Sequence, residues 1–191
     1  MRKVMLFIWL VIPICWACYH YGPGQVHLKK ERSAKLIAKA EALEKSGKWL
    51  EAQELYEKAL SVLPEKDSEK EKMYIKLKKA RTYWNTAQIG EACTDLEALL
   101  EEAESSKNPD KKLINDIRAA LAHSLYYTAW QMRLNGTPRK KWMKELEHAR
   151  QNFRLLAENG GEKIVKRNLE AAIHLSRIDL NKLKGLKLPE T

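Results

Sequence analysis

The stretch Leu36–Pro64, LIAKAEALEKSGKWLEAQELYEKALSVLP, decides how the chain is read. It divides at Ser46-Gly47-Lys48 into two short amphipathic runs. Ahead of the turn, Ala40 and Leu43 fall on one helical face; after it, Ala52, Tyr56 and Ala59 do the same. Small residues stand where two helices must approach closely, and a large residue fills the space beside them. Pro64 cannot continue a helix, so it ends the unit.

The pattern recurs. Ala80, Tyr83, Ala92, Leu96 and Leu99 stand in the same relation as Ala40, Leu43, Ala52, Tyr56 and Ala59. This spacing resembles the tetratricopeptide repeat, a helix-turn-helix unit of about 34 residues. Ala52 and Ala92 lie 40 residues apart, one such period plus an insertion of six. Lys39 and Lys79 depart from positions usually apolar in that family, and Ala87 stands where the first copy has Gly47. Between the copies, Ser68 with Glu71 reads as a capping box, and Ser33 as a cap of the first repeat helix.

Asn108-Pro109-Asp110 reads as the start of a long helix to Leu134, with the proline in its first turn. Ile114, Ile117, Leu121, Leu125, Thr128 and Met132 fall at helical spacing, and Leu121, Ala122 and Leu125 resemble the first helix of a third repeat. Asn135-Gly136 closes that helix and Thr137-Pro138 opens the next, where Ala149, Phe153 and Leu156 repeat the second-helix signature. Gly160-Gly161 stops it. A last helix over 162–184, with Val165, Leu169, Ala172, Leu180 and Leu183 on one face, is expected to cover the end of the array.

The expected fold is all-α: antiparallel helix-turn-helix repeats stacked as a short right-handed solenoid, with about three units and a C-terminal capping helix, behind an N-terminal apolar helix. The expected divisions are an apolar segment at 1–21, a linker at 22–32 containing the breaker Tyr21-Gly22-Pro23-Gly24, the repeat domain at 33–187 and a tail at 188–191.

Composition agrees with a helical fold: Ala, Leu, Glu and Lys dominate. Lys and Arg number 35 against 25 Asp and Glu, a net charge of +10, and acids and bases alternate along the expected helices as on a solvated face. Met1-Arg2-Lys3 precedes an apolar stretch from Val4 to Tyr19 interrupted only by Pro13. Three readings stand: an uncleaved signal-anchor helix, a signal peptide cut after Ala17, or a lipoprotein signal ending at Cys18. Bulky Trp16 and the lack of a leucine three residues before Cys18 weaken the last two. All three imply export, with the repeat domain extracytoplasmic, either membrane-anchored or released. Trp9, Trp16, Tyr19 and Tyr21 suit a membrane boundary.

The chain carries no GxSxG, no HExxH and no Gly-rich phosphate loop, so no enzyme and no cofactor are expected. The histidines are dispersed; His123 reads as a packed or surface residue. Cys93 reads as a small core residue, and Cys15-Trp16-Ala17-Cys18 is followed by Tyr19, which excludes c-type haem attachment. Arg133, Arg139, Lys140, Lys141 and Lys144 form a basic patch around Trp142, suited to anionic headgroups or an acidic partner; nucleic acid is not expected of an exported chain.

In the repeat family that the chain resembles, first helices line a groove that takes a segment of another protein. The resemblance places Ile37 and Glu41 there in the first copy, and Tyr74, Leu77, Arg81 and Trp84 in the second. Ile37 and Glu41 stand where co-chaperone members carry the Lys and Asn of a carboxylate clamp, which disfavours chaperone-tail binding. The expectation is a non-catalytic scaffold binding another protein, with a permanent subunit of an envelope complex as the alternative. A helical ligand-binding domain built on Trp130 and Trp142 is the third reading.

Overall fold

The computed structural model describes residues 9, 11–13, 16–17, 19, 23–65, 68–160, 163–179 and 182. Among them every regular element is helical: α1 (Pro23–Lys45), α2 (Trp49–Val62), α3 (Glu69–Thr82), a 3-10 turn (Tyr83–Asn85), α4 (Ile89–Glu104), α5 (Lys111–Leu134), α6 (Arg139–Glu158) and α7 (Lys163–Arg177). The chain forms two compact units, one ending at Ile75 and the other beginning at Lys76.

In the first unit α1 and α2 pack as a hairpin. Ala40, Ala52, Tyr56, Ala59, Leu63 and Ile75 make its core, flanked by Leu36, Ile37, Leu43, Leu55 and Leu60. The alanines let the two backbones approach, and Tyr56 fills the space beside them. Its hydroxyl donates to Glu44 Oε1 at 3.0 Å, so the one polar atom of the buried ring is satisfied. Burial first, and then the Glu44 carboxylate, hold that phenol well above its ordinary range, so it stays a donor.

The turn closes by a specific bond pattern. Lys48 N donates to Leu43 O and Gly47 N to Glu44 O, both at 2.9 Å, with Gly47 left-handed at φ +76°. The second unit repeats it at Gly136 (φ +70°), where Thr137 N reaches Met132 O at 2.9 Å and Gly136 N reaches Arg133 O at 3.2 Å. The turn at Ala87 keeps the long bond, Gln88 N to Tyr83 O at 3.2 Å. Its alanine is the one non-glycine among the described residues at positive φ, +58°. A Cβ costs energy there, whereas glycine would not. Ala87→Gly is therefore expected to raise stability by about 0.5–1 kcal/mol, after the added freedom of the unfolded chain is deducted. Urea denaturation checks this; a lowered midpoint would show that the turn carries no strain.

In the second unit α5 is the common neighbour, packing against α4 and α6, while α7 packs on α6. Ala92, Leu96 and Leu99 are buried on α4, Leu121, Ala122 and Leu125 on α5, and Ala149, Phe153 and Leu156 on α6. A tyrosine again binds across the α3–α4 turn: Tyr83 Oη donates to Asp95 Oδ2 at 3.3 Å. Here the ring precedes the turn and the carboxylate follows it, the reverse of Tyr56 and Glu44.

Several expectations are corrected. The first helix starts at Pro23, inside the span expected to be a linker, with the proline in its first turn. Ser33 does not cap it; Ser33 lies buried within α1 and donates to Ala59 O at 3.1 Å. Pro109 precedes α5, and the cap is Asp110, whose carboxylate accepts from Lys112 N at 2.9 Å and Leu113 N at 3.2 Å. The buried face of α7 is Asn168, Ala172 and Leu175; Val165 and Leu169 flank it at intermediate exposure. Leu180, Leu183, the 188–191 tail and most of the Val4–Tyr19 segment lie outside the described residues. Among the described residues no helix is long and apolar enough to cross a membrane.

Candidate binding surfaces

The groove positions fall into different environments. In the first unit Ile37 and Glu41 are half-buried on α1, and Tyr74 is 49% exposed on α3. Glu41 and Tyr74 both act on the Tyr56 phenol, which places the three side chains in one neighbourhood. In the second unit Arg81 is exposed, but Leu77 is 2% exposed, a core residue that no partner reaches. Trp84 lies beyond the end of α3, in the 3-10 turn, so it does not share a helical face with Tyr74 and Arg81. Its indole Nε1 donates to Ser124 Oγ at 2.8 Å, and Ser124 in turn donates to Ala120 O at 3.0 Å. Trp84 therefore ties its turn to α5 and has no donor left for a ligand.

Trp84 packs there on His123, with ring centroids 5.9 Å apart, and Phe153 meets the same imidazole edge-on at 5.3 Å. His123 is 5% exposed. Its Nε2 lies 3.4 Å from Asn168 Nδ2, and its Nδ1 has no protein partner. Burial, and secondarily the Arg81 charge, push its pKa down to about 4, so the ring is neutral at physiological pH. Tyr126 Oη and Trp130 Nε1, three and seven residues further along α5, are also buried without protein partners. Tyr127 meets Trp130 edge-on at 6.4 Å. Cys93 Sγ lies 3.6 Å from Thr128 Oγ1; burial raises its pKa to about 11, which keeps it a thiol. Among the described residues no three His, Cys, Asp or Glu side chains are placed to hold a metal ion.

The basic patch divides in two. Arg133 is half-buried and serves the fold: its guanidinium donates to the carbonyls of Leu175 and Ile178 at the end of α7 and lies 4.7 Å from the centre of the Trp142 ring. Burial, then Arg139, lower its pKa. Trp142 is itself 5% exposed, and Arg139 also approaches its ring, at 6.0 Å. Arg139, Lys140, Lys141 and Lys144 remain exposed at the start of α6. That first turn holds no acidic residue, and Pro138 at the cap offers no side-chain acceptor. Cations at the positive end of a helix dipole cost about 0.3–1 kcal/mol each.

A surface with the opposite charge was not singled out from the sequence. Glu97, Leu100, Glu101, Glu104, Ser105, Leu121 and His148 line an open cleft of about 470 Å³. The glutamates recur at helical spacing along α4, the signal by which sequence reading finds them. Glu97 Oε1 is 3.6 Å from His148 Nδ1, Glu104 is held by Arg118, and Glu101 is exposed. The last turn of α4 has no basic residue, so Glu101 and Glu104 lie at the negative end of its dipole. No known protein family, curated protein or solved structure matches the chain.

Proposed function

We propose that the chain is a membrane-tethered, non-catalytic scaffold of the tetratricopeptide-repeat type. Its hairpins stack as a short right-handed solenoid, and its exposed face binds a segment of another protein outside the cytoplasm. The observation that carries the reading is the repetition of one hairpin. Ala40, Gly47, Ala52, Tyr56 and Ala59 are matched at a constant offset by Ala80, Ala87, Ala92, Leu96 and Leu99, buried at the helix positions and left-handed at the turn. Such units present one face of every first helix, which suits recognition of an extended or helical segment. The hydrophobic Val4–Tyr19 stretch supports the tether.

Of the groove positions, Tyr74 in the first unit and Arg81 in the second keep exposed side chains, and Ile37 and Glu41 are half-buried on α1, which supports the first two as contacts for a partner. Tyrosine and arginine are enriched at interface hot spots, the one giving aromatic contact area and the other a fixed charge. Capture of partners from detergent-solubilised membranes is expected to fall about tenfold or more in Tyr74→Ala and Arg81→Glu, with helicity unchanged. If both variants retain the same partners as the parent, these residues are not the binding surface.

A further inference from the structure

Four elements of the second unit close around the His123 ring on α5. The Arg81 charge acts on it from α3, Trp84 packs on it from the 3-10 turn, Phe153 from α6, and Asn168 meets it from α7. No carboxylate acts on the ring. An amide nitrogen can only donate, so His123 Nε2 accepts from Asn168 Nδ2 at 3.4 Å. The ring proton then sits on Nδ1, which is buried without a protein partner. A second proton would set Nε2–H against the amide hydrogens and place a charge between two aromatic rings, with Arg81 repelling it. Turning the amide over would give Nε2–H one neutral acceptor but leave the buried charge and that repulsion in place.

Of the helices in this unit, α7 is the one most readily released. It buries Asn168, Ala172 and Leu175, against five residues on α4, six on α6 and ten on α5. It follows the other described helices in the chain and packs on α6, so it can lift away while α4, α5 and α6 keep their contacts. Asn168 ties it to His123 near its start, and Arg133 holds the carbonyls of Leu175 and Ile178 at its other end. An element with so little buried apolar surface opens at a lower free energy than the whole unit.

We propose that α7 is an acid-sensitive latch: a proton on His123 breaks the hold on Asn168 and releases α7 from the second unit while α4, α5 and α6 stay folded. With α7 closed, the ring is walled in and neutral. With α7 open, the side of the ring that faced Asn168 meets water, and the imidazole takes up a proton at its ordinary pKa. Opening therefore binds a proton between about pH 6.5 and 4, and acid favours it. The open fraction is expected to rise about tenfold from pH 7.5 to pH 5.5, since the shift spans that interval. Release uncovers the faces of α5 and α6 that α7 covers, Phe153 and the Arg133 guanidinium among them. The latch does not depend on which residues bind a partner.

The test is amide hydrogen exchange of the full chain in a neutral detergent, read by peptide at about pH 7.5 and 5.5 and corrected for the intrinsic exchange rates. Protection of α7 is expected to fall about tenfold at the lower pH. Dilute urea should leave α7 exchange almost unchanged, because a local opening exposes little surface, while α5 and α6 stay better protected and respond to urea. His123→Leu should abolish the pH response of α7. Asn168→Asp should reverse it, because a carboxylate facing Nε2 holds the imidazolium and closes α7 in acid. Circular dichroism checks that both variants are folded; where Asn168→Asp is not, the comparison with His123→Leu decides alone. Four results would overturn the proposal: α7 protection equal at the two pH values, α7 exchange as sensitive to urea as that of α5 and α6, a pH response that survives in His123→Leu, or a folded Asn168→Asp that behaves as the parent does.

Discussion

Phe153→Ala is expected to cost about 3–5 kcal/mol, the range for removing a buried aromatic ring. Phe153 is fully enclosed on α6 and stands edge-on to His123 on α5, the two helices that share the most extensive packing in the second unit. Its loss removes dispersion contacts and leaves a cavity that rigid helices on either side fill only in part. Urea unfolding followed by circular dichroism measures the effect. A loss below about 1 kcal/mol would mean that the α5–α6 interface collapses easily around the site, and that Phe153 is not a keystone of this core.

The second large effect is set by pH. His123 has a folded-state pKa of about 4 against 6.5 in the unfolded chain. Between those values the unfolded chain holds a proton that the folded chain does not. Stability therefore falls as pH drops from about 6.5 towards 4, and this group adds no slope above or below that window. The full loss is about 3 kcal/mol, since each tenfold change in proton affinity is worth about 1.4 kcal/mol. His123→Leu has nothing to protonate at the site. The difference in unfolding free energy between parent and variant should thus change by most of that amount between about pH 7.5 and 4.5. An identical pH dependence in the two proteins would show that the imidazole is protonated in the folded state. The groups around it are Trp84, Phe153, Asn168 and the Arg81 charge; none is a carboxylate that would hold the imidazolium.

The cores of the hairpins were legible because helical burial has a short period. Ala40, Ala52, Tyr56, Ala59 and their counterparts all stand on the predicted faces, and the turn at Gly47 is marked by the residue type that left-handed backbone favours. The surfaces were less legible, for physical reasons. Leu77 and Trp84 take positions that a groove alignment leaves exposed, yet one packs inward and the other is turned by the 3-10 segment that ends α3. Arg133 reads in sequence as one more surface cation; only the end of α7, over 40 residues later, shows that its donors are used internally. Asn168 was missed because a polar residue on a helix gives no sign of an imidazole waiting 45 residues upstream. The acidic cleft was missed because glutamates at helical spacing mark any solvated face, and only the fold shows that three of them share one hollow.

The Arg133 contacts also impose an order on biosynthesis. Its carbonyl acceptors at Leu175 and Ile178 lie 42 and 45 residues downstream, so α5 leaves the ribosome before the groups that hold its last turn exist. At translation rates of about 5–20 residues per second the delay is on the order of 2–9 s. The turn between α1 and α2, by contrast, closes through neighbours a few residues apart and needs no such wait. For those seconds the nascent second unit holds the Arg133 guanidinium without its final acceptors. A chain interrupted before Leu175 would stay in that state, open to proteases that the finished protein excludes.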